Sequence, residues 1–183
     1  MGVYTIFGNH DYGDYKKWPS DTAKKQNLKD LVKVHEQLGW NLLRNEHRHL
    51  NIGSESIALI GVENWSSSSR FPKKGRLDLA SKGLEAEEIQ LLLSHDPSHW
   101  RAQVIKDYPN IDMMFAGLTH GMQFGFEFGD YQWSPAQFVY PEWSGLYEQA
   151  HQKLYVNVGY GFLGYPGRIG ILPEITIFEL KRA

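Results

Sequence analysis

Three short apolar runs, at residues 3–7, 89–94 and 111–116, each stop at a polar segment that contains a histidine. Such runs, largely without polar alternation, are typical of strands buried inside a sheet. Residues 98–108, between the second run and the third, have helical character. The order strand, loop, helix, strand predicts an α/β (α+β) fold that presents functional loops at the carboxyl ends of its strands.

The remaining segments continue the mixed pattern. A helix is predicted from Ser20 or Asp21, either of which can cap it, to about Leu38. Residues 124–153 form a long segment that is rich in aromatic residues. No repeat and no linker divides the chain, so we expect a single domain over residues 1–183. Further strands are predicted at residues 40–45, 57–62, 154–158 and 174–180, with a connection at 48–53 and a short helix at 77–82.

The composition argues against several classes of protein. The chain has 183 residues and a net charge of −2, with a pI of about 6.4, so it has no general cationic field for a nucleic acid. It has no cysteine, which excludes disulfides and thiolate metal sites. Its apolar runs are too short to span a bilayer, and no targeting segment is recognised. We therefore expect a soluble protein, cytoplasmic by default.

A histidine follows each of the three apolar runs within four residues, at His10, His95 and His120. The carboxyl ends of parallel strands meet at one edge of a sheet, so these three rings are expected to share a pocket. Imidazole together with the neighbouring Asn9 amide suits a divalent first-row metal. A single histidine is more often structural, and we interpret His35, on the apolar face of the predicted helix, in that way. His47 and His49 are interpreted as surface residues.

Three motifs carry a family resemblance: Gly-Asn-His-Asp at 8–11, Ser-His-Asp-Pro at 94–97 and Gly-Leu-Thr-His-Gly at 117–121. In order and spacing they resemble the last three motifs of the calcineurin-like metallophosphoesterases. The resemblance continues through residues 155–159 and 172–175 to the end of the chain. It implies a four-layer αββα sandwich, N-terminally truncated here, and a family site with two metal ions at the strand ends.

The resemblance also implies roles for individual residues. Asn9 and His95 would bind the second metal, and His120 would bind the first. His10 resembles the family's catalytic imidazole, which stabilises or protonates the leaving oxygen, and Asp11 would orient it. Asparagine and histidine ligands suit Mn, Fe, Zn or Ni, so the metal stays open.

The chain also departs from the family pattern. It contains neither Asp-x-His nor Gly-Asp-x-x-Asp, the motifs that supply the bridging carboxylate and most ligands of the first metal, and Leu118 replaces a histidine ligand. We therefore expect weak or partial metal binding and poor hydrolysis of phosphomonoesters or phosphodiesters by the two-metal hydroxide mechanism. The alternative is a non-catalytic, oligomeric remnant of such a hydrolase that serves as a binding module. Missing strands beside residues 3–7 would expose a sheet edge, which predicts a homodimer or larger assembly.

Three further segments leave alternatives open. The aromatic residues at 131–147 suit a core, a lid, a lipid-facing patch or an interface. Some phosphoesterases that this chain resembles are attached to membranes, and that resemblance makes a lipid-like substrate an alternative to a small phosphoester. The basic cluster at 70–76 is interpreted as a solvated loop, although it would also suit an anionic substrate. Residues 159–164 match the Gly-x-Gly-x-x-Gly fingerprint, but a turn follows instead of a helix. We therefore predict a loop at the pocket rim and assign no nucleotide cofactor site.

Overall fold

The computed structural model describes residues 2–84, 89–129 and 131–181, and its largest element is a six-stranded sheet. Three 3-10 turns, Asn9–Tyr12, His120–Gln123 and Pro135–Phe138, lie in loops. The strands are β1 Tyr4–Thr5, β2 Asn41–Leu42, β3 Glu46–Ile52, β4 Glu55–Gly61, β5 Ile89–Leu93, β6 Met113–Ala116, β7 Phe126–Phe128, β8 Tyr131–Trp133, β9 Gly145–Gln149 and β10 Gln152–Val156. The helices are α1 Asp21–Gln37, α2 Leu77–Ala80 and α3 Ile105–Asp107, which continues a π-helical segment at Trp100–Val104.

The six-stranded sheet has the order β3-β4-β5-β6-β10-β9. Its four central strands are parallel, and the two edge strands, β3 and β9, pair antiparallel with their neighbours. Because β5 and β6 lie side by side and point the same way, the residues that follow them emerge at the same edge of the sheet. This arrangement brings the segments after Leu93 and Ala116 together.

Both faces of this sheet are covered by apolar contacts. On one face, buried Leu92 and Met114 pack against Trp100 and Val104 of the helical segment. The opposite face contains a second apolar cluster, in which β1 and β2 cover β4, β5 and β6. Burial on both faces explains why the central strands have continuous apolar sequences.

Successive side chains along β1 and the residues after it point alternately toward the six-stranded sheet and toward α1, and this places α1 as the fourth layer. Ile6 packs toward the six-stranded sheet, where its side chain lies near Gly61. Phe7 points the other way, is fully buried and meets His35 of α1 edge to face at 5.7 Å. The layers therefore follow one another as helix, sheet, short sheet and helix. The predicted mixed α/β class is confirmed.

Several predicted elements are found where the sequence indicated them, and two are not. The helix from Asp21 and the strands after residues 89 and 111 are confirmed within a few residues. The predicted connection at 48–53 is instead part of strand β3, which forms a hairpin with β4. The predicted strand at 174–180 is extended chain that belongs to no sheet of the described residues.

None of the helices in the described ranges is long and apolar enough to cross a bilayer.

Candidate active site

The turn after β1 places the first group of site residues. Gly8 has an extended conformation and leads into the 3-10 turn, and the Asp11 carboxylate accepts a hydrogen bond of 2.7 Å from the Gly8 N–H. This contact closes the turn, with Asn9 buried and His10 exposed to solvent. Since Asp11 is occupied in this way, its role as the residue that orients His10 stays a prediction.

The loops after β5 and β6 supply the other two histidines. The Gly117 N–H donates to the His95 carbonyl at 2.9 Å, which ties the two loops together. His120 has a left-handed backbone, with φ of 51°, in a turn that the Thr119 hydroxyl anchors by donating to the Trp143 carbonyl at 2.7 Å. The strand ends and these bonds direct His95 and His120 toward the turn that carries Asn9 and His10.

The four residues predicted to gather do so. Asn9, His10, His95 and His120 line one cavity of about 360 Å³, which Phe162 and Leu163 complete. His95 Nε2 and Asn9 Oδ1 are 3.1 Å apart.

The electrostatics of the site follow from this crowding. Burial, followed by repulsion from His120 and His10, lowers the pKa of the His95 imidazole to about 4. The pKa of His120 is also lowered, first by burial and then by Arg168 and His10. Burial therefore keeps these two rings neutral near pH 7, the form in which an imidazole binds a metal.

Several relatives match nearly the whole chain in sequence. The chain is 31% identical over 182 residues to the uncharacterized metallophosphoesterase YkuE of Bacillus subtilis and 25% identical over 182 residues to the uncharacterized metallophosphoesterase YkoQ of the same species. These matches cover 99% and 98% of the chain. The chain is similar to metallophosphoesterases over nearly its whole length.

The same family name appears in a longer relative. A transmembrane protein with metallophosphoesterase domain from Danio rerio is 29% identical over 190 residues, which cover the whole chain and 39% of that protein. The chain spans 57% and 60% of the two bacterial metallophosphoesterases, YkuE and YkoQ. No family model matches the chain. No solved structure matches it significantly.

A metallophosphoesterase depends in general on divalent metal ions, so we tested whether the residues present fit one. His120 Nδ1 is buried and has no hydrogen-bond partner in the described part of the chain. Together with Asn9 Oδ1 and the His95 ring it forms a partial set of donors. Nowhere in residues 2–84, 89–129 and 131–181 do three or more His, Cys, Asp or Glu side chains group so as to hold a metal. By themselves these residues do not make a complete metal site.

The pocket that contains His10 also includes residues that the sequence analysis missed. The Tyr15 hydroxyl accepts a 2.8 Å hydrogen bond from Asn9 Nδ2, and the Tyr15 ring stacks on His10 at 4.3 Å. Phe71 and Tyr140 line the adjoining part of the pocket, together with Leu118. Only the short spacing between Asn9 and Tyr15 offered any signal in the sequence, because the other contacts join distant segments.

The glycine-rich segment at 159–164 is a loop, as predicted. Phe162 and Leu163 lie at the rim of the cavity that contains the histidines, where both are largely exposed. Arg168 supports this loop by donating to the Gly161 and Val158 carbonyls at 2.8 and 2.7 Å. We therefore assign the glycines of this segment to the loop at the rim of the cavity.

Proposed function

We propose that this chain carries part of a metal-dependent phosphoesterase site, acting on phosphomonoesters or phosphodiesters. The observation that supports the proposal is the convergence of Asn9, His10, His95 and His120 on one cavity at the ends of separate strands. Asn9, His95 and His120 would bind a divalent ion of the Mn, Fe, Zn or Ni type. The names of the relatives support the general class of reaction.

His10 is the residue we assign to proton transfer. Its ring is exposed at the mouth of the cavity and forms no hydrogen bond with a described side chain, so a ring nitrogen can meet the substrate. Stacking on Tyr15, with an angle of 28° between the rings, holds the plane of the imidazole. In this position the imidazole would stabilise a phosphoryl oxygen or give a proton to the leaving oxygen.

The activity of the chain is proposed to be weak. A stable two-metal centre needs carboxylate ligands, one of them bridging the ions, and the metal ligands proposed here are one amide and two imidazoles. Leu118 lines the pocket at a position where the family motif carries histidine, and its side chain has no donor atom. The alternative function, a binding module without catalysis, is supported by the same lack of metal ligands.

The decisive experiment measures release of p-nitrophenol from bis(p-nitrophenyl) phosphate, with Mn²⁺ or with EDTA. We expect slow turnover that depends on Mn²⁺ and is lost in His10→Ala. His151→Ala, which changes an exposed histidine bonded to the Pro109 carbonyl, serves as the matched control and should keep the wild-type rate. Rapid turnover would refute the impairment, whereas no turnover above background with Mn²⁺ would leave the binding module as the better proposal.

The substrate is proposed to carry an apolar group next to its phosphoester. Phe162 and Leu163 are exposed and also line the cavity, so a ring or acyl chain can contact them as it enters. This favours a lipid-like phosphoester over a small, fully polar one. Comparing phosphate release from glycerol phosphate with that from a short-chain phosphatidic acid tests the preference.

We also infer that the chain associates with a second copy of itself. In the segment after residue 173, Glu174 and Thr176 face the sheet through bonds to Tyr155, while Ile175 and Ile177 face outward with 85% and 92% of their surface exposed. Exposed apolar residues on an extended segment outside any described sheet favour pairing with another chain.

A further inference from the structure

A second cavity adjoins the histidine site and has a different chemistry. It encloses about 460 Å³ between the loop at 66–71, the segment at 97–106 and residues 139–142, and we call it the serine chamber. This volume is within the range of small-molecule sites. Phe71 and Tyr140 belong both to the serine chamber and to the pocket that contains His10, so the two cavities are neighbours across these rings.

Three cationic side chains line the serine chamber. Arg101 is paired with the buried carboxylate of Glu142. Arg70 and Lys106 form no ion pair with any residue in the described ranges. The chamber therefore presents two exposed positive charges that no carboxylate in the described ranges neutralises.

Serine hydroxyls add directed donors to these charges. Ser66, Ser68 and Ser98 each accept a backbone N–H, at 3.1, 3.3 and 3.0 Å, and none of them donates to a described residue. An accepted N–H occupies a lone pair and leaves the hydroxyl proton available, so the protons of these hydroxyls can meet an acceptor in the chamber. Ser66 is almost completely buried, which fixes the loop that carries it.

We propose that the serine chamber binds a second anionic oxygen group, a phosphate or a carboxylate, of the same molecule whose phosphoester lies at His10. Arg70 and Lys106 supply the charge, and the serine hydroxyls supply hydrogen bonds to the anionic oxygens. The assignment of both groups to one ligand rests on the proposed function and on the wall of Phe71 and Tyr140 that the two cavities share. The substrate class is then a phosphoester with a second acidic group on its leaving side.

The tyrosine in the shared wall fits this assignment. Burial, assisted by the charge of Asp96 and by Tyr15, raises the pKa of the Tyr140 phenol to about 12. The phenol therefore stays protonated and neutral, and it does not repel an anion that spans the two cavities.

The test measures binding without turnover, so that it succeeds or fails independently of catalysis. The full chain, in EDTA, is titrated calorimetrically with inorganic phosphate and separately with succinate. We expect the double variant Arg70→Gln/Lys106→Gln to weaken binding at least tenfold and Arg70→Glu to abolish it. Lys33→Gln, which removes an exposed cation on α1, is the matched control and should bind as the wild type does.

The remaining outcomes are equally informative. Tighter binding of phosphate than of succinate would assign a second phosphate, and the reverse order would assign a carboxylate. No measurable binding by the wild type, or unchanged binding by the double variant, would overturn the proposal.

Discussion

At the scale of single residues, the absence of a side chain at Gly8 allows the turn after β1 to pack closely against the His95 ring. A Cβ at Gly8 would lie 2.8 Å from the His95 ring atoms Cδ2 and Nε2, closer than van der Waals contact allows. Gly8→Ala should push this ring away from Asn9 and destabilise the fold by about 1–3 kcal/mol, the usual cost of overpacking. Urea unfolding measures the loss.

Gly161→Ala is the control for this substitution. No heavy atom lies within 4 Å of the Cβ that would be added there, and the Gly161 φ is not positive. We therefore expect an unfolding midpoint close to that of the wild type. Equal midpoints for Gly8→Ala and Gly161→Ala would show that the His95 ring adapts without cost.

A second residue effect belongs to His99, a buried histidine outside the candidate site. Its ring stacks on Trp65 at 4.4 Å, its Nε2 donates to Gln103 Oε1 at 2.8 Å, and its Nδ1 accepts from the Ser94 hydroxyl at 2.9 Å. Burial lowers the pKa of this imidazole from 6.5 to about 4. The neutral ring is therefore a structural part of the core.

The pH dependence of stability follows from this lowered pKa. Between pH 6.5 and 4 the unfolded chain binds more protons at His99 than the folded chain, so the contribution is present above about pH 6.5 and is lost as the pH falls. The loss for such a shift is about 3 kcal/mol. We expect His99→Asn to be less stable than wild type at pH 7 but to have a flatter profile between pH 7 and 4.

Chemical unfolding at several pH values tests this expectation. His151→Asn, at an exposed histidine, should retain the wild-type slope. An unchanged slope in His99→Asn would show that the ring titrates normally in the folded state. His95, whose pKa is lowered in the same direction, leaves a residual slope in every variant.

At the scale of elements, α1 depends on its cap more than on burial. None of its residues is fully buried, and the Ser20 side chain accepts from the Ala23 N–H at 3.1 Å at its start. Ser20→Ala should cost about 1 kcal/mol because that N–H loses its partner, whereas Ser20→Asn should retain most of the stability. Hydrogen exchange should show faster exchange in α1, with the six-stranded sheet unchanged. Equal exchange in both variants would contradict this.

The same scale shows how far the sequence predicts the fold. Strands β5 and β6 are predictable because burial on both faces leaves few polar residues in them. Strand β3 is not, because it lies at the sheet edge and combines His47, Arg48 and His49 with few apolar residues. Its sequence resembles a connection, and its pairing with β4 arises from a contact between segments that periodicity does not record.

In the candidate site, too, features set by neighbouring residues are predictable from the sequence, whereas contacts between distant segments are not. The histidines at the strand ends are predictable because the positions of parallel strands determine where their loops emerge. The contact of Asp11 with the Gly8 N–H is not predictable from the motif. An aspartate directly after a histidine can either orient the imidazole or accept a backbone N–H of the turn, and the sequence is the same in both cases. The serine chamber joins three distant segments, and no local pattern indicates it.

At the scale of the whole molecule, the segment after residue 173 buries apolar side chains on one of its faces and exposes them on the other. Phe178 packs edge to face on Phe115 and Tyr155, each at 4.9 Å, so the segment after residue 173 lies against the six-stranded sheet. Its outward residues, by contrast, have no apolar cover in the described part of the chain. This unevenness is the physical basis of the proposed self-association.

The test is a substitution at the outward face that leaves the inward face intact. Ile177→Lys places a charge where Ile177 is 92% exposed, so it should not disturb the fold of a single chain but should prevent close apolar contact between two copies. We expect wild type to form dimers or larger assemblies in light scattering and Ile177→Lys to be a monomer. Glu179→Lys, which exchanges one exposed charged side chain for another on the same segment, should remain associated. A wild-type protein that stays monomeric at high concentration would disprove the association.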